Sequence, residues 1–274
     1  MSTYFVGDIH GCYYELMKLL EKISFDEKLD YLWSTGDLIN RGPNSIEVMR
    51  FISSLGSHAR LVLGNHDLNL IFSYTQNKYK RFNDYIISDI LKAKDIDILI
   101  NWLRKQPLLQ IDKKRKIIMV HAGIHPYWDI DVSRMYSDKL GSFLCNINYD
   151  ILLRGIFNNA IVNYIDNSCR KLNRLSFSLN VFTRMRYCFN DGTLDMECKK
   201  SPSIDTYPLI PWFSIKNNSL QDYILFFGHW ASLKKNIVSP KIISLDTGCC
   251  WGGYLSMFRL EDSKWFSQPA QKRL

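Results

Sequence analysis

The chain has 274 residues, a hydrophobic fraction of 46% and a formal net charge of +8. This length and composition can bury a large core and fit one domain over residues 1–274. No apolar run approaches the roughly 20 residues of a membrane-spanning helix, and no signal-peptide pattern is present, which argues against membrane and secreted proteins. The seven cysteines form no CxxC pair, which favours reduced thiols and a cytoplasmic location.

The positive charge is compatible with a polyanionic ligand. The basic residues are nevertheless scattered, apart from the runs at residues 113–116 and 272–273. The first run lies between two apolar segments and is most simply a solvated hairpin tip. Because the chain is also rich in Lys, Ile and Asn, we favour compositional bias over a dedicated nucleic-acid surface, which stays open as the alternative.

Early in the chain, three short apolar runs are each followed by a polar, glycine-flanked loop and then by a helical pattern. The runs at residues 4–6, 31–34 and 60–63 are typical of buried strands. Helical spacing follows at Tyr13–Lys22, and Ser45 is placed to cap a second helix. Repeated β-loop-α units predict a mainly parallel arrangement, with the loops gathered at the carboxyl ends of the strands.

The rest of the chain contains both helical and strand-like segments. Residues 72–106 are helical in pattern, and residues 128–178 are predicted to form a largely helical insertion. A hairpin is predicted from strands at Thr183–Cys188 and Leu194–Met196 around a turn at residues 190–192. Further strands are predicted at residues 108–111, 117–120, 223–227, 242–245, 254–259 and 265–267.

Candidate metal ligands follow five of the predicted strands. They are Asp8, His10, Asp37, Asn65, His66, His121 and His229. One loop histidine is more often structural than metal-binding, but several loops would rarely converge on such residues by chance. Mixed carboxylate, imidazole and amide donors suit Mn²⁺, Fe²⁺, Co²⁺ or Zn²⁺ better than Ca²⁺. The set is large enough for two ions that share one carboxylate, an arrangement that clamps a phosphoryl group and activates water.

The loop sequences resemble the ordered motifs of the PPP-type metallophosphoesterases. These motifs are GDIHG, GDLINRG, GNHD, HAG and GHW. Longer segments resemble the bacterial symmetrical diadenosine tetraphosphatases, namely NWLRKQPLLQID, FTRMRYCF, FGHWASL and LDTGCCWGG. This resemblance covers nearly the whole chain and is weakest at residues 130–178.

The resemblance implies an α/β sandwich of four layers (αββα), in which helices flank two mixed β-sheets and a dimetal site lies at the sheet ends. It also implies a division of the ligands between two divalent ions, for which Mn²⁺ or Co²⁺ is expected and Fe or Zn are alternatives. Asp8 and His10 would hold the first metal, and Asp37 would bridge the two. The second metal would be completed by Asn65, His121 and His229.

The resemblance further assigns roles in substrate binding and proton transfer. His66 would donate a proton to the leaving group, and Arg41 would bind a phosphate. Arg184 and Arg186 alternate along a predicted strand and would share a face, where they could neutralise the flanking phosphates. The alternative is that both are solvated arginines on an exposed strand.

Four other aromatic or imidazole side chains are not needed for this scheme. Trp230 and Trp251 lie beside site loops and could stack a base, but packing in the core is the simpler expectation for both. His58 and His125 lie outside the matched ligand positions, and we expect both to be structural.

Asn40 departs from the pattern of the related protein phosphatases, which carry an aspartate at this position to keep the proton-donating histidine charged. Asn40 has no negative charge, and Asp67 is not expected to replace it because adjacent side chains generally point apart. A nucleoside diphosphate leaves through an oxygen whose conjugate acid has a pKa of about 6. Acid catalysis therefore matters less for an anhydride than for a phosphoserine, so Asn40 favours an anhydride substrate.

Together these observations predict an enzyme that cleaves P¹,P⁴-bis(5′-adenosyl) tetraphosphate symmetrically to two ADP, by attack of a metal-bound hydroxide on an inner phosphorus. The partner would be a small-molecule dinucleoside polyphosphate, with no membrane and no obligate protein partner. Three alternatives stay open: a protein serine/threonine phosphatase, an enzyme that removes nucleoside-tetraphosphate caps from RNA ends, and a non-catalytic polyanion-binding protein.

Overall fold

A computed structural model describes residues 1–78, 85–157, 163, 171–233 and 237–271. The strands, in chain order, are β1 (Thr3–Val6), β2 (Tyr31–Ser34), β3 (Ala59–Leu61), β4 (Leu109–Asp112), β5 (Ile117–Val120), β6 (Tyr187–Cys188), β7 (Leu194–Asp195), β8 (Ile210–Pro211), β9 (Ile224–Phe227), β10 (Ile237–Ser239), β11 (Ile242–Ser244), β12 (Tyr254–Arg259) and β13 (Lys264–Pro269). The α-helices are α1 (Tyr13–Lys22), α2 (Ser45–Ser54), α3 (Asn65–Lys78), α4 (Tyr85–Leu91), α5 (Ile96–Leu103), α6 (Ile130–Cys145), α7 (Tyr149–Phe157) and α8 (Lys171–Arg184). No helix in these ranges is long and apolar enough to span a membrane.

Within the described part of the chain, the strands form two mixed five-stranded sheets and one small antiparallel sheet. The first large sheet has the order β13-β12-β1-β2-β3, and β1, β2 and β3 run parallel. The second has the order β10-β11-β9-β5-β4, and β11, β9 and β5 run parallel. The small sheet, β7-β6-β8, contains the predicted hairpin in a shorter form. The predicted mixed sheets are therefore confirmed.

The two large sheets pack face to face through an aromatic layer. Phe5 of β1 stacks on Phe226 of β9, with ring centroids 3.9 Å apart, and Trp33 of β2 lies beside Phe5. Because side chains alternate along a strand, Tyr4 and Val6 point to the opposite face of the first sheet and belong to the other core cluster. Helix α1 packs against β12 and β13, and α6 packs against β4, so helices cover the outer faces. This gives the four layers that were predicted.

Two local predictions are wrong. Ser45 is the first residue of α2 rather than its cap, and its hydroxyl accepts a hydrogen bond from the Asn40 amide at 3.0 Å. The serine thus stabilises the preceding loop. The strand predicted at Thr183–Cys188 begins only at Tyr187, because the last turn of α8 continues through Arg184.

The region predicted as a helical insertion contains α6, α7 and the start of α8. Residues 158–162 and 164–170 of that region lie outside the described part of the chain. The organisation of residues 1–274 as one domain stays a prediction.

Candidate metal centre

The loops at the carboxyl ends of the parallel strands meet on one side of the molecule, where they line a cleft of about 730 Å³. Among the sequence-predicted residues, those that line it are Asp8, His10, Asp37, Arg41, Asn65, His66, Arg184, Arg186 and His229. His121 is fully buried directly behind them, since its Nε2 lies 3.2 Å from both Asn65 Oδ1 and His229 Nδ1. All of the predicted site residues therefore come together.

Asp37 lies at the centre of the ligand candidates. Its Oδ2 is 3.6 Å from His10 Nε2 and 3.5 Å from His121 Nε2. One possible metal-binding group consists of His10, Asp37 and His66, and a second consists of Asp37, His121 and His229. Asp37 is the residue that the two groups share, which is the arrangement that a bridging carboxylate requires.

Two carboxylates are held in place by backbone amides of other loops. Asp8 Oδ2 accepts a hydrogen bond from the His229 amide at 2.9 Å, and Asp37 Oδ1 accepts one from the His66 amide at 2.8 Å. Both carboxylates lie against glycines: a Cβ on Gly228 would be 2.0 Å from Asp8 Oδ1, and one on Gly64 would be 2.0 Å from Asp37 Oδ1. These glycines are therefore required for the close approach of the loops.

Three histidines, of which His10 and His121 are buried and His229 is partly buried, are fixed in a tautomer that suits a metal ligand. The Nδ1–H of His10 donates to the Ile39 carbonyl at 3.1 Å, and the Nδ1–H of His121 donates to the Thr35 carbonyl at 2.8 Å. His229 instead donates from Nε2 to a carbonyl of α8 at 3.1 Å. In each ring the other nitrogen is left as an acceptor, which is the usual arrangement of a metal-binding imidazole.

Burial disfavours the charged form of the ionisable side chains in the site. For the histidines it therefore favours the neutral imidazole, which is the form that binds a metal. It lowers the pKa of His121 to about 3 and the pKa of His229 well below its usual value. It also raises the pKa of Asp37 to about 8 and that of Asp8 well above its usual value, and the neighbouring carboxylates add to the rise for Asp8. Neutral imidazoles beside crowded carboxylates form a donor set that fits divalent cations, whose charge would stabilise the carboxylates.

Sequence reasoning missed one carboxylate of the cleft. Asp246 follows β11, is buried, and accepts a hydrogen bond from the Gly248 amide at 3.0 Å. Its charge contributes to the raised pKa values of Asp8 and Asp37. Its position after a strand was a usable signal, but an Asp-Thr-Gly sequence is equally typical of a simple turn.

His66 is in contact with Asn40. The side-chain oxygen of Asn40 accepts from the Arg41 amide at 2.7 Å, so its Nδ2 donates to His66 Nδ1 at 3.0 Å. Nδ1 must then be unprotonated, and the N–H of the neutral ring is on Nε2. Burial, His10 and two arginines, Arg41 and Arg184, lower the pKa of His66 to about 3. This geometry provides a neutral hydrogen-bond donor at pH 7 and no imidazolium.

Asp67 is directed away from His66, as expected. It accepts hydrogen bonds from the amides of Asp37, Leu38 and Gly64 at 2.8, 3.0 and 3.0 Å. It is therefore a buried support for the loop of Asp37 and does not replace the missing aspartate.

Among the described residues, four cationic side chains line the cleft. Arg186 donates from Nη2 to the His229 carbonyl at 2.8 Å, and Arg184 is the last residue of α8. Both guanidinium groups face the cleft although they do not share a strand, and burial lowers the pKa of each. Arg41 and Lys199 also line the cleft, and Lys199 was not identified from the sequence.

The two tryptophans of the cleft differ in their surroundings. Trp230 is 2% exposed and donates from Nε1 to the Lys200 carbonyl at 3.2 Å, so the expected core packing is confirmed. Trp251 is 65% exposed, so the same expectation is wrong for this residue.

The remaining histidines lie away from the ligand groups. His58 donates from Nδ1–H to the Asp30 carbonyl at 3.0 Å and stacks on Tyr31. His125 is buried, with Nε2 2.9 Å from the Gly192 carbonyl and Nδ1 3.3 Å from the Tyr127 amide. Both have the structural surroundings that were expected.

Comparison with known proteins agrees with this geometry. A model of the calcineurin-like phosphoesterases matches residues 1–155. The chain is 58% identical over 276 residues to "Bis(5'-nucleosyl)-tetraphosphatase, symmetrical" of Buchnera aphidicola subsp. Baizongia pistaciae, with 99% of each chain covered. It is 46% identical to the protein of the same name from Proteus mirabilis (strain HI4320), with 100% of each chain covered.

The fold is also similar to that of solved structures. The crystal structure of a candidate diadenosine tetraphosphatase matches with a TM-score of 0.68 and 24% identity, over 99% of this chain and 95% of that one. The fold match spans both sheets, and the sequence matches include every loop that carries a ligand candidate. The chain belongs to the calcineurin-like phosphoesterases, in the family of symmetrical bis(5′-nucleosyl)-tetraphosphatases.

Proposed function

We propose that this protein hydrolyses P¹,P⁴-bis(5′-adenosyl) tetraphosphate symmetrically and releases two ADP. The observation that carries the proposal is the full-length similarity, at 58% identity, to a protein of that named activity. The cleft supports it independently, because it combines a shared carboxylate with four cationic side chains. A substrate with four adjoining phosphates has the charge that these side chains would offset.

We infer that two divalent ions bind in the cleft, for which Mn²⁺ and Co²⁺ are the expected ions and Fe and Zn are alternatives. Asp8 and His10 would hold one ion, and Asp37 would be shared. The other would be held by Asn65, His121 and His229. When bound, such a pair neutralises phosphoryl charge and lowers the pKa of water.

The chain's own residues would then position the substrate and stabilise the leaving group. Arg41, Arg184 and Arg186 would bind phosphate oxygens on either side of the bond that breaks. ADP can depart as an anion because its conjugate acid has a pKa of about 6. His66, neutral and with its proton on Nε2, would donate a hydrogen bond to the departing oxygen rather than transfer a proton.

The same chemistry would permit the removal of nucleoside-tetraphosphate caps from RNA, which stays a prediction. A phosphoserine substrate is less well matched, because a departing alkoxide needs the acid that a neutral His66 does not provide. The cytoplasmic location also stays a prediction from the cysteine pattern.

Product analysis with diadenosine tetraphosphate and Mn²⁺ tests the proposal directly. Two ADP are expected, whereas AMP with ATP, or no turnover, would overturn it. Asp37→Asn should abolish the reaction, because the shared carboxylate is lost. Asp131→Asn is the matched control and should leave the rate unchanged, since this aspartate side chain is 80% exposed and does not line the cleft. A capped oligonucleotide and a phosphoserine peptide, assayed in parallel, would reveal the other two activities.

A further inference from the structure

Trp251 has an unusual position for a large apolar side chain. It is 65% exposed and lines the cleft beside the candidate metal centre. It belongs to a short 3₁₀ turn, Cys249–Trp251, which is anchored by the buried side chain of Cys249. The Trp251 amide donates to the Gly248 carbonyl at 2.9 Å, and so does the Gly253 amide at 3.0 Å. The exposure of the ring is therefore a property of an ordered turn.

One face of the Trp251 ring is occupied by Arg41. The guanidinium carbon lies 5.0 Å from the ring centroid, within the range of a cation–π contact. The Arg41 backbone is itself held, because its amide donates to Asn40 Oδ1. The contact therefore joins a guanidinium that can bind phosphate to an aromatic surface that is open to solvent.

Trp251 is the exposed aromatic surface of the cleft. Among the described residues that line it, the aromatic side chains are Trp230 and Trp251, and Trp230 is buried and hydrogen-bonded. The lining also contains three further cationic residues, Arg184, Arg186 and Lys199, which offer charge but no aromatic face. Among the described residues the cleft therefore offers one exposed indole ring, although the proposed substrate has two identical nucleosides.

We propose that Trp251 is the stacking platform for one purine base of the substrate, whose phosphates are bound by Arg41. This inference rests on the proposed function, because it names how one nucleoside of that substrate is held. Stacking on an indole face needs no particular hydrogen-bonding edge, so adenine and guanine are both accepted there. For the second nucleoside, no described residue of the cleft offers an equivalent exposed aromatic ring.

Substitutions at Trp251 distinguish stacking on a base from a role in which Trp251 only positions Arg41. With excess Mn²⁺, inhibition constants of ADP and of inorganic pyrophosphate are measured against hydrolysis of diadenosine tetraphosphate. Trp251→Leu is expected to raise the KM of the substrate and the inhibition constant of ADP about tenfold, which is within the range of base stacking on aromatic residues. The inhibition constant of pyrophosphate, which has no base, should change less than about twofold, and Trp251→Phe should restore most of the loss.

The control is Tyr207→Leu, which removes an 84% exposed aromatic side chain that does not line the cleft. Equal weakening of ADP and pyrophosphate by Trp251→Leu would overturn the inference and assign Trp251 to the positioning of Arg41. Unchanged constants for both ligands would overturn it as well. If the wild-type protein instead fails to form ADP, the proposed function fails, and binding of ADP and pyrophosphate measured by calorimetry still decides the role of Trp251.

Discussion

Replacing Asn40 with aspartate adds one negative charge at the atom that contacts His66. Asn40 Nδ2 is 3.0 Å from His66 Nδ1, and the side chains of Asn and Asp have the same shape. The other oxygen of the aspartate can still accept from the Arg41 amide, so the loop geometry should be retained. The substitution therefore tests the electrostatic role of this position with little change in packing.

The expected magnitude follows from the distance and from the present state of His66. An opposite charge in contact stabilises an imidazolium by about 1.4 to 4 kcal/mol. Since burial and neighbouring cations lower the pKa of His66 to about 3, the ring is almost entirely neutral at pH 7. Asn40→Asp should therefore increase its protonated fraction at pH 7 by about 10- to 1000-fold.

The consequence should depend on the leaving group. Hydrolysis of an alkyl phosphate monoester, such as glycerol 2-phosphate, needs a protonated leaving group, so its kcat should rise at least about tenfold. The kcat for diadenosine tetraphosphate should change less than about twofold, because ADP leaves as an anion.

Released phosphate and ADP are measured at saturating Mn²⁺ and pH 7. Asn44→Asp adds the same charge four residues away, at the N-cap of α2, and serves as the control. Equal fractional changes for the two substrates would refute the reasoning. So would an unchanged monoester rate in a variant whose His66 pKa, measured by NMR titration, has risen.

Three further predictions concern packing and stability. Gly228→Ala places a methyl group 2.0 Å from Asp8 Oδ1 and should lower kcat by about 100-fold or more, whereas Gly141→Ala, with open space around it, should leave kcat unchanged. Phe5→Ala, between the sheets, should lower the free energy of unfolding by about 3 to 5 kcal/mol in urea titrations, and a loss below about 1 kcal/mol would contradict the packing described. Burial lowers the pKa of His125 from 6.5 to about 4, so protonation favours the unfolded chain as the pH falls. The free energy of unfolding of the wild type, relative to that of His125→Leu, should fall by up to about 3 kcal/mol between pH 6.5 and 4 and should not change above pH 6.5. A difference that stays constant with pH would show that folding does not lower the pKa of His125.

The ligand loops could be predicted because their signal is local. A short apolar run followed by a glycine-flanked polar residue identifies both a buried strand and the loop at its end, as for Asp8 after β1 and Asp37 after β2. Parallel pairing then brings such loops to the same edge, as the structure shows for β1, β2 and β3. Local pattern and topology agree in this part of the chain, so the site could be anticipated.

The failures occur where tertiary contacts override local patterns. The sequence around Arg184 alternates like a strand, but α8 packs against α6 and α7 and its last turn includes this residue. The exposure of the Trp251 side chain could not be predicted from the local sequence either, because it depends on a turn that buried Cys249 anchors to the core. Lys199 enters the cleft from the segment after β7, and no local pattern distinguishes it from other surface lysines.

The contacts of the metal centre show that its loops position one another. The loop after β9 supplies the candidate ligand His229 and also the amide that holds Asp8. Helix α3 begins with candidate ligands and supplies the amide that holds Asp37. These hydrogen bonds oppose the cost of burying the carboxylates, whose pKa values burial raises. Because each of these two segments provides both a candidate ligand and the support of a ligand from another strand, a change in one of them should displace donors on more than one loop. That dependence is a physical reason for the glycines at positions 64 and 228: a Cβ at either position would lie 2.0 Å from the Asp37 or Asp8 carboxylate and would prevent the supporting amide from approaching it.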